Sequence, residues 1–172
     1  MNEIWEPPAL TSIREDFRAL ELPDRTQLLL ELAAGLPELP QRYAEHPELG
    51  EPVPECRTPI TFFVELTPRG GGAGGGDRAG SAGSPDSPVG AEQLVHVYAT
   101  APLSAPTTRA FAAIVVEGLN GLTPAQVASI PSDYPYTLGL ELVVSPMRLR
   151  GMTALLARVK RHVAVLASAP SA

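Results

Sequence analysis

The chain has 172 residues, of which 44% are hydrophobic and only 5% aromatic, so it can bury one aliphatic core. Its net charge of −6 argues against a general binder of nucleic acids or anionic membranes, because phosphates repel such a surface. Residues 1–56 carry −8 (4 basic, 12 acidic) and the remainder carry +2 (9 basic, 7 acidic). This asymmetry suits docking to a charged partner, with a solvated acidic face as the alternative.

The N-terminal part predicts helices. Apolar residues at helical spacing predict a first helix over residues 9–20. Pro23 is expected to interrupt the chain, and Asp24 to cap a second helix in a capping box with Gln27. Residues 41–45 predict one further helical turn.

Two strands are predicted in the middle of the chain. Residues 60–66 and 94–98 are rich in β-branched and aromatic side chains, and we expect them to pair as an antiparallel hairpin. Residues 67–91, between them, hold nine of the 15 glycines together with Ser, Asp and Pro, and predict a disordered insertion. The glycines formally satisfy G-x-G-x-x-G, but no helix follows them, so we predict no dinucleotide site.

The C-terminal part again predicts helices. One covers residues 105–119, and a capping box of Thr123 and Gln126 starts a short second one. Ser145 precedes a proline and starts the last helix in the same way. Helices, then strands, then helices indicate an α+β fold, in which helices flank a small antiparallel β-sheet.

Cys56 is the only cysteine in the chain. One cysteine excludes an internal disulfide, and with three scattered histidines it predicts no metal site and no cluster site, since these need several ligands. We therefore expect no cofactor in the chain itself. No apolar run is long enough to span a bilayer, and the first residues lack the features of a signal peptide, so we expect a soluble cytoplasmic protein.

The surroundings of Cys56 favour a functional role. It lies in a polar, proline-rich loop at residues 53–59, and loops carry function more often than core positions do. The thiolate is the form that attacks sulfur, and Arg57 would favour it whereas Glu55 would oppose it. An inert thiol, a sulfur carrier and a Cys–His hydrolase all stay open at this point, the last with His46, His96 or His162 as its base.

Four stretches of the sequence then occur in an order and at a spacing typical of one family. They cover residues 25–40, 53–58, 121–127 and 142–152. The first is similar to an N-terminal helix and its exit, and the others resemble the V-P-G-C-Q-S loop, the G-x-T-P-x-E-I turn and the L-S-P-S-R-x-N-G-L segment of the SufE family. The resemblance spans about residues 22–163, interrupted by the glycine-rich segment. The chain departs from the family pattern at Glu55, which replaces a glycine, at Arg57-Thr58 and at Arg150.

The resemblance implies a SufE/NifU-like α+β fold, with residues 1–172 as a single domain and a core of about 9–166. It implies that Cys56 accepts persulfide sulfur from a cysteine desulfurase, a pyridoxal phosphate enzyme, and passes it to an iron–sulfur scaffold. The chain would then be an accessory carrier and activator rather than a stand-alone enzyme. Glu55, Arg57 and Arg148 are the expected loop or partner contacts. The alternative is a regulatory module that binds a desulfurase without using Cys56.

Overall fold

A computed structural model describes residues 5–69 and 92–169. Within these residues the chain forms six α-helices, two 3₁₀ helices and three β-strands. In chain order they are α1 (Pro8–Ala19), α2 (Leu22–Ala34), α3 (Gln41–Ala44), a 3₁₀ helix (Pro47–Leu49), β1 (Glu51–Pro52), β2 (Thr61–Pro68), β3 (Gln93–Thr100), α4 (Pro106–Leu119), α5 (Pro124–Ser129), a second 3₁₀ helix (Tyr134–Leu138) and α6 (Pro146–Ser168).

The strands form one antiparallel sheet in the order β1-β2-β3. β2 and β3 pair along their whole length, from Thr61 opposite Thr100 to Pro68 opposite Gln93. β1 adds two residues, with Glu51 opposite Phe62. The predicted hairpin is therefore confirmed, although both strands are longer than expected. Residues 67 and 68 of the predicted insertion belong to β2, and its residues 70–91 lie outside the described part of the chain.

The core lies between the sheet and the helices. α4 packs against β3, α6 packs against β2, and α1 and α2 pack against α4. Nine of the 14 residues of α4 are buried, because this helix has neighbours on several sides. In β3, buried Val95, Val97 and Ala99 alternate with more exposed residues, as expected of a strand with one face on the core. This arrangement confirms the predicted α+β fold.

The two predicted capping boxes have different outcomes. The box at Asp24 is wrong, because α2 begins at Leu22 and has Glu21 in the N-cap position. Pro23 lies in the first turn, where a missing N–H costs no helical hydrogen bond, so the proline does not delay the helix. The box at α5 is confirmed: Gln126 N–H donates to Thr123 Oγ1 (3.2 Å), and Thr123 N–H donates to Gln126 Oε1 (2.9 Å).

No helix in residues 5–69 or 92–169 is both long enough and apolar enough to cross a bilayer. The assignment of all 172 residues to a single domain stays a prediction.

Candidate functional site

Cys56 lies in the loop that connects β1 to β2. Both ends of this loop are buried, since Val53 and Ile60 are each 2% exposed, and the N–H of Val53 donates to the carbonyl of Ile60 (3.1 Å). The N–H of Cys56 in turn donates to the carbonyl of Val53 (3.1 Å). The loop is thus closed at its base, and only residues 54–59 form its tip.

The half-buried side chain of Cys56 lines a cavity of about 280 Å³ between the loop, α4 and α6. Apolar residues that belong to the core form part of its wall: Ile60, Phe111, Met152 and Leu155. More polar or exposed residues complete it: Arg57, Thr58, Thr108, Ser145, Met147 and Arg148. The only thiol of the chain therefore faces a space with an apolar interior and a partly cationic rim.

The sulfur of Cys56 packs against α6 at Gly151. The thiol donates to the Gly151 carbonyl oxygen, with 3.5 Å between Sγ and O. A Cβ atom at position 151 would lie 3.1 Å from Sγ and 3.7 Å from the Cα of Cys56, which is a tight approach. The missing side chain of Gly151 is therefore what allows the loop to lie this close to the helix.

The local environment keeps Cys56 in its thiol form. Burial raises the pKa of the Cys56 thiol, and the negative charge of Glu55 raises this pKa further. The hydrogen bond to Gly151 also favours the protonated sulfur. Glu55 thus acts as predicted, whereas Arg57 is exposed, so water screens its charge, and it does not offset these effects. An ordinary cysteine has a pKa of about 8.5, so little thiolate forms here at neutral pH.

Ion pairs connect the cysteine loop to α6. Arg158 donates to both carboxylate oxygens of Glu55, from Nε (2.8 Å) and Nη2 (2.7 Å), and from Nη1 to Glu51 (3.0 Å). Glu51 also contacts His162 Nδ1 (2.9 Å) and Arg161 Nη2 (3.3 Å). The pairing with Arg158 holds the pKa of Glu55 below its usual range, so Glu55 is ionised at neutral pH.

The structure brings the four predicted site residues to the same region. Cys56, Arg57 and Arg148 line the cavity, and Glu55 lies beside it in contact with α6. Arg148 Nη1 donates to Thr107 Oγ1 (2.8 Å). Within the described residues, neither Arg57 nor Arg148 forms an ion pair with a carboxylate.

Gly151 and Arg158 are not among the site residues predicted from the sequence. Gly151 had a signal, because it lies in a segment that resembles the family pattern. Arg158 had none, because 103 residues separate it from Glu55 and nothing in one sequence links the two positions.

None of the three histidines lines the cavity. His46 contacts Glu48, His96 contacts Thr67 and His162 contacts Glu51, each with a ring nitrogen within 2.9 Å. The described residues therefore provide no imidazole base beside Cys56 for a Cys–His hydrolase.

Comparison with known proteins connects this site to a family. A sequence model of the SufE Fe-S metabolism associated domain matches residues 89–163. Two uncharacterized SufE-like proteins of Mycobacterium tuberculosis, from strains CDC 1551 and H37Rv, are each 37% identical over 157 residues, which is 91% of this chain and 92% of each relative. The chain belongs to the SufE family. The solution structure of a hypothetical protein from Thermus thermophilus is 33% identical, with a TM-score of 0.69 over 96% of this chain and 100% of that one.

Membership of the SufE family associates the chain with Fe-S metabolism and agrees with the α+β fold. The range matched by the SufE domain contains α4, α5 and most of α6, and therefore one side of the cavity. Cys56 lies before that range. The match with the domain model therefore does not extend to the cysteine loop.

Proposed function

We propose that this SufE-family chain accepts sulfur on Cys56 from the persulfide of a cysteine desulfurase and passes it on for iron–sulfur cluster assembly. The observation that supports this proposal is the position of the only cysteine, on a short loop at a cavity of about 280 Å³. One further sulfur at a bond length of about 2 Å fits into that space. We place the reaction in the cytoplasm, where a single thiol stays reduced.

The transfer is a displacement at sulfur with no net oxidation or reduction. The Cys56 thiolate attacks the terminal sulfur of the desulfurase persulfide, and a bond forms between Sγ and that sulfur. The bond between the two sulfurs of the donor breaks, and the donor cysteine leaves as a thiolate that takes up a proton. The same displacement, with an acceptor thiolate as the attacking group, unloads Cys56. The pyridoxal phosphate that makes the first persulfide belongs to the partner enzyme.

The resting environment of Cys56 suits a carrier that reacts only with its partner. Burial and Glu55 raise the pKa of the thiol, which keeps the thiolate fraction low while Cys56 lies in the cavity. Movement of the loop out of the cavity removes the effect of burial. The thiol then ionises more readily at the moment when a donor persulfide is within reach.

The arginines at the cavity are the proposed partner contacts. Arg57 and Arg148 are exposed, and neither is paired with a carboxylate in the described part of the chain. Their positive charges lie at the cavity beside Cys56, so they locally favour approach by an acidic surface. We propose that such a surface surrounds the donor persulfide.

Sulfur transfer can be tested by incubating the chain with a cysteine desulfurase and free cysteine and analysing the intact protein by mass spectrometry. The proposal predicts the added mass of one sulfur atom on Cys56, removable by dithiothreitol, together with faster turnover of the desulfurase. Cys56→Ser should show neither effect. Equal stimulation by Cys56→Ser and the wild type would instead support the regulatory module that does not use Cys56.

A further inference from the structure

Outside the cavity, α6 binds the loop that carries Cys56 through the carboxylate of Glu55. Arg158 approaches it with two parallel N–H groups, at 2.8 and 2.7 Å. Charge-assisted bonds of this bidentate kind are stronger and more directional than a single contact. Because Glu55 directly precedes Cys56, the position of this carboxylate restricts the backbone next to the thiol.

Arg158 is itself held from a second side. Its third donor group binds Glu51, the first residue of β1, at 3.0 Å. Glu51 is in turn contacted by His162 and Arg161 from the same helix. Burial acts to raise the pKa of Glu51, but the bonds from His162 and Arg158 outweigh it and hold this pKa below the usual range. Glu51, a carboxylate of the sheet, therefore helps to orient the Arg158 guanidinium that binds Glu55.

The same helix contacts the loop at a second point, two helical turns earlier. There the Cys56 sulfur lies 3.5 Å from the Gly151 carbonyl. The loop thus rests on α6 through two successive residues, one by an ion pair and the other by the thiol. A movement of the Cys56 backbone away from the cavity therefore pulls on Glu55, its neighbour in the chain.

We propose that Glu55 and Arg158 are positioning residues that hold Cys56 in its cavity, so that the thiol becomes accessible when their ion pair separates. The biological meaning of this inference rests on the proposed sulfur transfer, because the protein that would separate the pair is the docked desulfurase. The accessibility of the thiol is a property of the isolated chain and is measured without a partner.

The measurement is the rate of alkylation of Cys56 by iodoacetamide in the folded protein, followed by intact mass across a range of pH. At high pH the rate reaches a plateau that reports accessibility, and the midpoint reports ionisation of the thiol. The variants are Glu55→Gln, Arg158→Gln, Arg158→Lys and the double variant of Glu55→Gln with Arg158→Gln. The matched control is Arg42→Gln, which removes another bidentate arginine–carboxylate pair, with Glu65, that does not contact the cysteine loop.

The Arg158→Gln variant distinguishes a positioning role of Arg158 from an effect of its charge on the ionisation of Cys56. Loss of a positive charge that neutralises Glu55 would, by charge alone, disfavour the thiolate and slow alkylation below the plateau. Loss of the ion pair instead raises the plateau rate, by about two- to fivefold for a pair at this degree of exposure. The double variant should react no faster than Arg158→Gln. Arg158→Lys keeps the charge but cannot form the bidentate contact, so its plateau rate should lie between those of the wild type and Arg158→Gln. Arg42→Gln should match the wild type.

A plateau rate for Arg158→Gln at or below that of the wild type overturns the proposal, provided that circular dichroism shows the variant folded. Should it fail to fold, Glu55→Gln decides by the same criterion, since its side chain is 46% exposed and the substitution removes only the charge. The outcome is separate from that of sulfur transfer. If the chain never receives sulfur but its variants show the expected alkylation rates, the proposed function is refuted, whereas the positioning role of Glu55 and Arg158 stands.

Discussion

The sulfur of Cys56 and the backbone oxygen of Gly151 lie 3.5 Å apart, and no side chain from position 151 separates the loop from α6. Two parts of the chain that are 95 residues apart in sequence meet at this point. The contact places the thiol beside the cavity, and it makes the smallest residue at position 151 a determinant of where the thiol lies.

Gly151→Ala should therefore displace Cys56 more than it destabilises the protein. The added Cβ would be 3.1 Å from Sγ, so the loop must shift by a few tenths of an ångström. Overpacking costs about 1–3 kcal/mol, whereas alanine in a helix interior is favoured over glycine by about 1 kcal/mol. We expect a net loss of about 0–2 kcal/mol in the free energy of unfolding, measured in urea, and faster alkylation of Cys56. Gly35→Ala, whose Cβ would make ordinary contacts at 3.5 Å, should leave the alkylation rate unchanged.

The ionisation of Cys56 should be visible in the stability of the protein at alkaline pH. The pKa of its thiol is raised in the folded state by burial and by Glu55. A raised pKa contributes stability that is fully present below the unfolded value, about 8.5, and is lost as pH rises through the folded value. The free energy of unfolding should fall between about pH 8 and pH 10 less steeply in Cys56→Ser than in the wild type. Identical slopes for the two proteins would contradict the assigned environment of the thiol.

The carboxylates that bind Arg158 predict the opposite dependence at acidic pH. The pKa values of Glu51 and Glu55 are both held below the usual range, so their contribution is present above about pH 4.3 and is lost as pH falls through the folded values. Glu51→Gln should lower the free energy of unfolding by about 1 kcal/mol at neutral pH. As the pH falls to acidic values, this free energy should then decrease less than in the wild type. Urea unfolding monitored by circular dichroism at about pH 3.5, 5 and 7 measures this. Glu31→Gln, on the exposed surface of α2, is the control and should follow the wild type.

Charge reversal at the cavity should weaken the encounter with a desulfurase more than the chemical step. Arg57→Glu and Arg148→Glu replace the positive charges that we propose as partner contacts. We expect the concentration of the chain needed for half-maximal stimulation of the desulfurase to rise about tenfold, with a weaker dependence on salt than in the wild type. Arg18→Glu changes the net charge equally on α1, which does not line the cavity, and should have little effect. Equal effects of all three variants would indicate a general charge effect and remove the specific role of the two arginines.

Much of the fold follows from local patterns, and the site follows only in part. The capping box at Thr123 and the two hairpin strands were predictable because the pattern of each element lies within a short stretch of sequence. The start of α2 was not, since a proline is compatible both with interrupting a chain and with the first turn of a helix, and only tertiary packing selects between them. β1 pairs through two residues, which is too short for any alternation.

The position of Cys56 in a loop could be read from its prolines, whereas the walls of its cavity could not. Thr108, Phe111 and Gly151 come from two helices that meet the loop only in the folded chain. The pairing of Glu55 with Arg158 likewise depends on how α6 crosses the sheet. The balance between Glu55 and Arg57 could not be predicted either, because burial of the thiol, which raises its pKa most, exists only in the folded chain.

The closed base of the loop sets a limit on how far the thiol can travel. Val53 and Ile60 stay fixed in the core, and Cys56 is three residues from the nearer of them. Three residues of fully extended chain span about 10 Å at most. Cys56 can therefore move only a short distance from the core. In the proposed sulfur transfer, donor and acceptor would each have to bring their reactive sulfur to the surface of this protein, one after the other at the same place.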